Sequence, residues 1–235
     1  MFWSKPKTIS FEDAQRVLVT LLRDVRCNSW ADRVSATSPN AFPSLLGGMG
    51  SLNDLIICQK NHHELAAERE PLANELMSCL LSVCYAASRD GTLTADAAVA
   101  SCGTINLVLP GWRCLVCGYG LITSRSARSL ISASDVRRAL RDGIDQRSPS
   151  DSLLALWRGP ENLNGIQALI DKAQKSGIQY TDEDRWMRPC PGCGSSDTCI
   201  YRWRQDHQRL IPTDDNLPLR NSCHGTTTNG KQPIH

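Results

Sequence analysis

Two short cysteine motifs, separated by 72 residues, constrain the fold of this 235-residue chain more than any other feature of its sequence. The first motif is Cys114-Leu-Val-Cys117-Gly and the second is Cys190-Pro-Gly-Cys193-Gly. In each motif a tight turn can bring both sulfur atoms to one side, and the following glycine permits the positive backbone dihedral that the turn needs. Four thiolates satisfy the tetrahedral coordination of a structural Zn²⁺ ion. The two motifs therefore predict one shared zinc site with these four cysteines as ligands.

The interval between the motifs is longer than in familiar four-cysteine sites, where the second pair follows the first by about 15–20 residues. It contains three stretches with a helical apolar pattern, including one capped by Ser134. Strand-forming residues precede the first motif and follow the second. We therefore predict a zinc-ribbon-like module over residues 106–212, split by a helical insert at about 120–185. A metal-free arrangement stays open, as do ligand sets that use Cys199, His207, Cys223 or His224.

The first hundred residues have the pattern of a helical bundle. Ser10 precedes an apolar stripe with helical spacing, and Asp13 stands where a capping box places its acidic residue. A second amphipathic helix begins near Pro71 and ends before Gly91. We predict a helical bundle over residues 1–105.

A glycine-rich stretch, GGMGSLND at Gly47–Asp54, lies between these two helices. Its glycines predict a tight turn. Either Ser51 or Asn53 then caps a short helix through Leu55–Ile57. Backbone N–H groups at such a turn can also bind an anion, although no Walker lysine is present.

The same stretch carries a resemblance to a known family. An amphipathic helix, a Trp30-Ala31 pair, the GGMGSLND stretch and a later helix follow one another in this order. This order resembles a small bacterial helical domain family without an assigned activity, over residues 10–90. The resemblance implies a helical fold for this region and supplies no site residue.

These features together predict a mainly α fold with a small β zinc-ribbon element, in the α+β class. The chain ends in a segment rich in Asn, Thr, Gly and Pro. We predict that residues 213–235 form a flexible tail.

Compartment and charge set further bounds. The N-terminal residues lack the apolar core of a secretory signal, and no run approaches the about 18 apolar residues that span a bilayer. We therefore expect a cytoplasmic protein without a membrane segment. Its formal net charge of +2 does not indicate a strong general attraction to nucleic acid.

The chain contains eleven cysteines, and five of them stand among apolar neighbours. Thiols stay reduced in the cytoplasm, where a buried cysteine behaves as a small apolar residue. We therefore expect core positions for Cys27, Cys58, Cys79, Cys84 and Cys102.

An enzymatic alternative uses His62-His63-Glu64 with the second cysteine motif. These residues imitate the H-x-E…P-C-x-x-C pattern of zinc deaminases, in which one His and two Cys hold the metal and Glu transfers protons. This interpretation leaves Cys114 and Cys117 without a role.

The leading interpretation is a non-catalytic intracellular zinc protein that acts as a protein-binding or regulatory module, with an immunity or defence role as one guess. The alternative is a zinc ribbon that binds nucleic acid, in which cations hold phosphates and an aromatic ring stacks on bases. The residues assigned to that alternative are Arg125, Arg128, Arg137, Arg138, Arg202, Trp203 and Arg204.

Overall fold

The computed structural model describes residues 7–103, 107–142, 148–182 and 189–213. The α-helices in these residues are α1 (Phe11–Asp24), α2 (Asn28–Ser35), α3 (Glu70–Asp90), α4 (Ala95–Ser101), α5 (Ser124–Arg141), α6 (Pro149–Arg158) and α7 (Leu163–Lys175). The β-strands are β1 (Thr8–Ile9), β2 (Leu93–Thr94), β3 (Val108–Cys114), β4 (Gly120–Thr123), β5 (Ile178–Thr181), β6 (Thr198–Gln205) and β7 (Leu210–Pro212). None of the described helices is both long and apolar enough to cross a bilayer. Apart from Thr213, the predicted tail lies outside the described residues.

The chain divides into two compact units. The first combines residues 1–107 with residues 127–167, and the second combines residues 108–126 with residues 168–235. The described residues form both α-helices and β-strands in substantial amounts, so the fold is mixed α and β.

The grouping differs from the predicted module boundaries in one respect. Most of α5 and all of α6 are grouped with the first unit, although they lie between the two cysteine motifs in sequence. The reason is burial: Val136, Leu140, Leu153 and Trp157 join the apolar core of the first unit. The α5 helix is also longer than predicted, because Ser134 lies within a continuous helix and does not begin one.

The two helices predicted for the first unit are confirmed. Helix α1 begins at Ser10, whose side chain accepts a hydrogen bond of 3.1 Å from the backbone N–H of Asp13. Helix α3 has Pro71 in its first turn and ends at Gly91, whose φ is +79°. Helix α1 packs against α2 and α3, so the apolar stripes predicted from the sequence face one another.

The short helix predicted after the glycine-rich turn is not formed. A single 3-10 turn, Leu52–Asp54, follows Ser51, and the side chains of Ser51 and Asp54 complete a capping box across it. The chain then becomes extended because Asn74 of α3 binds both backbone groups of Ile57. Its amide oxygen accepts from the N–H at 3.0 Å, and its amide nitrogen donates to the C=O at 2.7 Å. A tertiary contact therefore overrides the local helical pattern.

A disulfide bond joins Cys79 of α3 to Cys102 at the end of α4, which corrects the prediction of reduced core thiols for this pair. The prediction of a buried position is right for Cys79, Cys84 and Cys102, whereas Cys27 and Cys58 are only partly buried. Burial raises the pKa of the Cys84 thiol. A disulfide is uncommon in the reducing compartment that the sequence predicts. The pair is close because α4 packs on α3, which the spacing of the two cysteines does not reveal.

A five-stranded sheet with the strand order β5-β4-β3-β6-β7 forms the centre of the second unit. Strands β3 and β6 pair antiparallel over seven residues, and β4 and β5 pair parallel over four. The strands predicted on either side of the cysteine motifs are β3 and β6. The sheet is larger than predicted because β4 and β5 are too short to show a clear alternating pattern.

Trp203 lies in the core of this sheet, where its indole packs against a glycine on each of two neighbouring strands. A Cβ atom placed on Gly111 would come within 2.8 Å of the indole and within 2.4 Å of the backbone oxygen of Leu121. A Cβ atom on Gly120 would lie 3.5 Å from the same indole. The ring is 4% exposed, and the missing side chain at Gly111 provides the space into which the indole packs.

Helix α7 is anchored to the strand pair β6–β7. The hydroxyl of Ser176 accepts a hydrogen bond from the backbone N–H of Leu210 at 2.9 Å. Lys172 donates to the backbone oxygen of Asp206 at 2.9 Å. These contacts join the end of the helical insert to the strands that follow the second cysteine motif.

Candidate metal centre

Each cysteine motif forms a knuckle, which is a turn with the same backbone hydrogen bonds in both copies. In the first knuckle the N–H of Cys114 donates to the C=O of Tyr119 at 2.8 Å, and the N–H of Gly118 donates to the C=O of Cys114 at 3.0 Å. In the second knuckle the N–H of Cys190 donates to the C=O of Ser195 at 2.8 Å, and the N–H of Gly194 donates to the C=O of Cys190 at 2.8 Å. The two glycines have φ values of +75° and +73°. Both therefore adopt the conformation for which the sequence pattern selects glycine.

Pairing of β3 with β6 brings the knuckles side by side. The first knuckle connects β3 to β4, and the second lies shortly before β6. Cys114 is opposite Thr198 in the ladder, and the N–H of Leu115 donates to the C=O of Asp197 at 2.9 Å. Sheet register therefore places together two motifs that are 72 residues apart in the chain.

The four sulfur atoms form one cluster, in which each Sγ lies within 4.8 Å of the other three. The Sγ of Cys114 is 3.6 Å from that of Cys193, and the Sγ of Cys117 is 3.7 Å from that of Cys190. Among the described residues, this is the group of His, Cys, Asp and Glu side chains placed to hold a metal ion. The predicted meeting of the four cysteines is thus present in the structure.

Ionisation of the clustered thiols is unequal. A hydrogen bond from the backbone N–H of Cys117 is the main cause that lowers the pKa of Cys114 to about 7. The backbone N–H of Ser195 lowers the pKa of Cys193, but the neighbouring thiols and desolvation outweigh it and raise that pKa. Thiolates crowded in one place oppose the ionisation of the last thiol. A divalent cation removes this opposition because it compensates their charge.

An aromatic and cationic contact supports the strand beside the first knuckle. The Arg113 guanidinium lies 5.1 Å from the ring centroid of Tyr201 and donates a hydrogen bond of 3.0 Å to its hydroxyl. The Tyr201 ring in turn packs against Trp203, with centroids 4.9 Å apart. The knuckle is therefore tied to the sheet core through side chains as well as through the ladder.

The alternative ligands are not brought into the cluster. Cys199 is on β6, opposite Arg113, and the exposed His207 lies between β6 and β7. Neither belongs to the group of four sulfurs. Cys223 and His224 lie outside the described residues.

The residues of the deaminase-like pattern have other partners. His62 adopts a left-handed conformation with φ of +64° at the end of a 3-10 turn. The Glu64 carboxylate accepts a hydrogen bond of 3.2 Å from Arg26, and the ring of His63 is within hydrogen-bonding distance of the backbone of Cys58. The structure thus assembles four cysteines, and these His and Glu side chains are not in that cluster.

Two residues assigned to the nucleic-acid alternative are buried, which corrects their interpretation as surface contacts. Trp203 packs in the sheet core as described above. Arg137 is 7% exposed and donates to the backbone oxygens of Cys102 at 3.1 Å and Gly103 at 2.6 Å. Both side chains therefore stabilise the fold.

The remaining residues of that alternative lie on different units. Arg128 and Arg138 are in the first unit, where they pair with Glu161 and Asp135, respectively. In the second unit, Arg125, Arg202 and Arg204 are exposed. The seven residues thus do not form a single surface of the second unit.

Sequence reasoning did not identify the role of Gly192, in the middle of the second motif. A Cβ atom at this position would lie 3.5 Å from the Sγ of Cys117 and 3.2 Å from the ring of Tyr119. The glycine therefore leaves space directly over the first knuckle. The position of Gly192 between two cysteines could have drawn attention to it. Its neighbours Cys117 and Tyr119, however, belong to the first knuckle, so the sequence of the second motif does not reveal the contact.

Comparison with known proteins yields a partial similarity. A family described as a domain of unknown function (DUF6966) matches residues 27–66. This span lies in the first unit and includes the GGMGSLND stretch, but it contains none of the four clustered cysteines. No curated protein and no solved structure matches the chain significantly. The match thus concerns the α2 region and the loop after it, and it brings no named activity.

Proposed function

We propose that the four clustered cysteines bind one Zn²⁺ ion as a structural site. The observation that carries the proposal is the pair of sulfur separations across the knuckles, 3.6 and 3.7 Å. In a tetrahedron with Zn–S bonds of about 2.3 Å, the sulfurs are about 3.8 Å apart. The thiol cluster therefore needs little rearrangement to accept the ion.

A site with four protein ligands favours a structural role. Catalytic zinc sites keep one position for water or substrate, whereas here the four cysteines fill all positions of the tetrahedron. The ion would link β3 to the segment before β6 through its bonds to the four cysteines. We therefore propose a non-catalytic protein. We also propose a reducing intracellular compartment, in which the four thiolates that bind the ion stay reduced, although the Cys79–Cys102 disulfide is uncommon there.

The β6 surface, consisting of Ile200, Arg202 and Arg204, is where we propose that the second unit contacts a partner. Alternate residues of a strand lie on one face, and all three of these side chains are exposed. Ile200 is 61% exposed, which is unusual for a large apolar residue in a strand. Apolar contact area flanked by arginine is typical of protein–protein interfaces. A protein partner and a binding or regulatory role are thus the proposed function.

We expect the purified full chain to contain one zinc ion, which metal analysis measures. Co²⁺ exchanged into the site should give the intense visible d–d bands of a tetrahedral complex, together with a near-ultraviolet sulfur-to-metal charge-transfer band whose intensity depends on the number of thiolates. The Cys193→Ala variant should lose this spectrum, while Cys199→Ala serves as the matched control and should retain it. If metal analysis finds iron and no zinc, the four-cysteine site stands and its metal is iron. No bound metal and a Co²⁺ spectrum unaffected by Cys193→Ala would refute the site.

A nucleic-acid partner is the second candidate, favoured by the charge of the second unit. Its described residues contain more basic than acidic side chains. The basic ones are Arg113, Arg125, Lys172, Lys175, Arg202, Arg204 and Arg209, and the acidic ones are Asp171, Asp182, Asp197 and Asp206. Such an excess can hold phosphates.

The two candidates predict different results at the β6 surface. A photo-crosslinking residue at position 200 should capture a protein, and Arg202→Glu should reduce that product. Fluorescent single-stranded RNA and DNA should bind weakly, with little dependence on salt. If instead the oligonucleotides bind with a steep salt dependence that Arg202→Ala and Arg204→Ala reduce, the nucleic-acid candidate replaces the protein partner.

A further inference from the structure

The four clustered sulfurs are not equally accessible. Cys114 and Cys190, the first cysteine of each knuckle, are 2% and 3% exposed. Cys117 and Cys193, the second cysteine of each knuckle, are exposed. Each knuckle therefore presents one sulfur to solvent and keeps one inside.

The short sulfur contacts connect each exposed cysteine to the buried cysteine of the other knuckle. Cys193 is 3.6 Å from Cys114, and Cys117 is 3.7 Å from Cys190. A disulfide bond is about 2.05 Å long, so each pair must approach by only about 1.6 Å. In addition, the N–H of Gly192 donates a hydrogen bond of 3.4 Å to the Sγ of Cys190, which makes that buried sulfur a weaker nucleophile.

Gly192 keeps the exposed sulfur of the first knuckle uncovered. A methyl group at this position would come into van der Waals contact with the Sγ of Cys117, at 3.5 Å. The φ of Gly192 is outside the left-handed region, so the backbone conformation itself does not require glycine. The structure thus contains an opening over one thiolate that a single methyl group would narrow.

We propose that this cluster is an oxidative modification site. Peroxide reacts first with the exposed Cys117 and Cys193, and two disulfides then form between the knuckles, Cys193–Cys114 and Cys117–Cys190. The proposal rests on the proposed zinc site, because oxidation removes the thiolate ligands and releases the ion. Since the new bonds connect the same two knuckles that the ion connects, the clamp between β3 and the segment before β6 is retained in covalent form.

The chemistry needs only a hydroperoxide as oxidant. The thiolate of the exposed cysteine attacks one peroxide oxygen, so that an S–O bond forms, the O–O bond breaks and hydroxide leaves. The thiolate of the buried cysteine then attacks that sulfur, so that the S–S bond forms, the S–O bond breaks and a second hydroxide leaves. For each disulfide, two electrons pass from the two sulfurs to one peroxide molecule, and two protons from the buffer acid convert the two hydroxides to water. Zn²⁺ leaves without a change of oxidation state.

The test treats the zinc-loaded full chain with limiting hydrogen peroxide. A chromogenic chelator follows zinc release, and peptide mass mapping under non-reducing conditions identifies the disulfides. We expect one zinc released for two new disulfides, with the two connections between knuckles in excess. Disulfides within a motif, Cys114–Cys117 and Cys190–Cys193, or oxidation confined to other cysteines would overturn the proposal.

Zinc content before oxidation separates the two proposals. If the chain binds no zinc, the proposed function fails, and mapping of the disulfides in the same sample still decides the pairing. If zinc is bound but peroxide neither releases it nor joins the knuckles, only the modification site fails.

A second variant tests accessibility without removing a ligand. In Gly192→Ala, alkylation by iodoacetamide should slow at Cys117 relative to Cys193, and zinc content should stay at one per chain. Ser196→Ala, at an exposed position after the second motif, is the matched control and should leave the ratio of the two rates unchanged. An unchanged ratio in Gly192→Ala would show that the opening does not govern access to Cys117.

Discussion

The Cys114→Ser and Cys190→Ser variants should each lose the bound zinc and unfold the second unit. A structural zinc ion contributes about 10 kcal/mol or more to the folding of a small module, which exceeds the whole stability of many domains. Both residues are buried at the junction of the two knuckles. Without the ion, the pairing of β3 with β6 alone must hold together two motifs that are separated by a long stretch of chain.

Metal analysis and hydrogen exchange measure this outcome. Amides of β3 and β6 should lose protection in both variants, whereas those of α1 and α3 should keep it. Cys199→Ser is the matched control, because Cys199 is on β6 outside the sulfur cluster, and it should retain zinc. Unchanged metal content and unchanged protection in both ligand variants would show that the ion does not hold this unit together.

The Trp203→Ala variant should destabilise the second unit by about 3–5 kcal/mol. The indole is buried against Gly111 and Gly120, so its removal leaves a cavity in the sheet core. Urea denaturation of the zinc-loaded chain, followed by the circular dichroism of the β-strands, measures the change. Arg204→Ala is the matched control, because the adjacent arginine is exposed and should change stability by no more than about 0.5 kcal/mol.

This comparison also distinguishes a core residue from a base-stacking one. If Trp203 served mainly to stack on nucleic acid, the alanine variant would fold with nearly normal stability and lose oligonucleotide binding instead. Because Trp203 is buried against Gly111 and Gly120, we expect the alanine variant to lose stability.

Some features of the molecule were predictable from local sequence because their physical cause is local. The Cys-x-x-Cys-Gly pattern fixes a turn with glycine in a positive φ, and both knuckles have it. The cap at Ser10 and the first-turn proline of α3 likewise depend on neighbouring residues alone. The grouping of the four cysteines followed from valence, since two ligand pairs in one chain are most simply satisfied by one tetrahedral ion.

Other features depended on which segments meet in space, and only the tertiary structure decided them. In the sequence, Trp203 and Arg137 resemble surface residues of basic stretches. In the structure, Trp203 is buried against glycines, and Arg137 is held by backbone oxygens. Asn74 keeps Ile57 extended against its helical pattern. Such contacts join residues distant in sequence, so no local window contains the energy that decides them. Local dihedral preferences thus determined the turns, and the four-ligand valence of the ion predicted the ligand set, whereas long-range burial determined which side chains stay exposed.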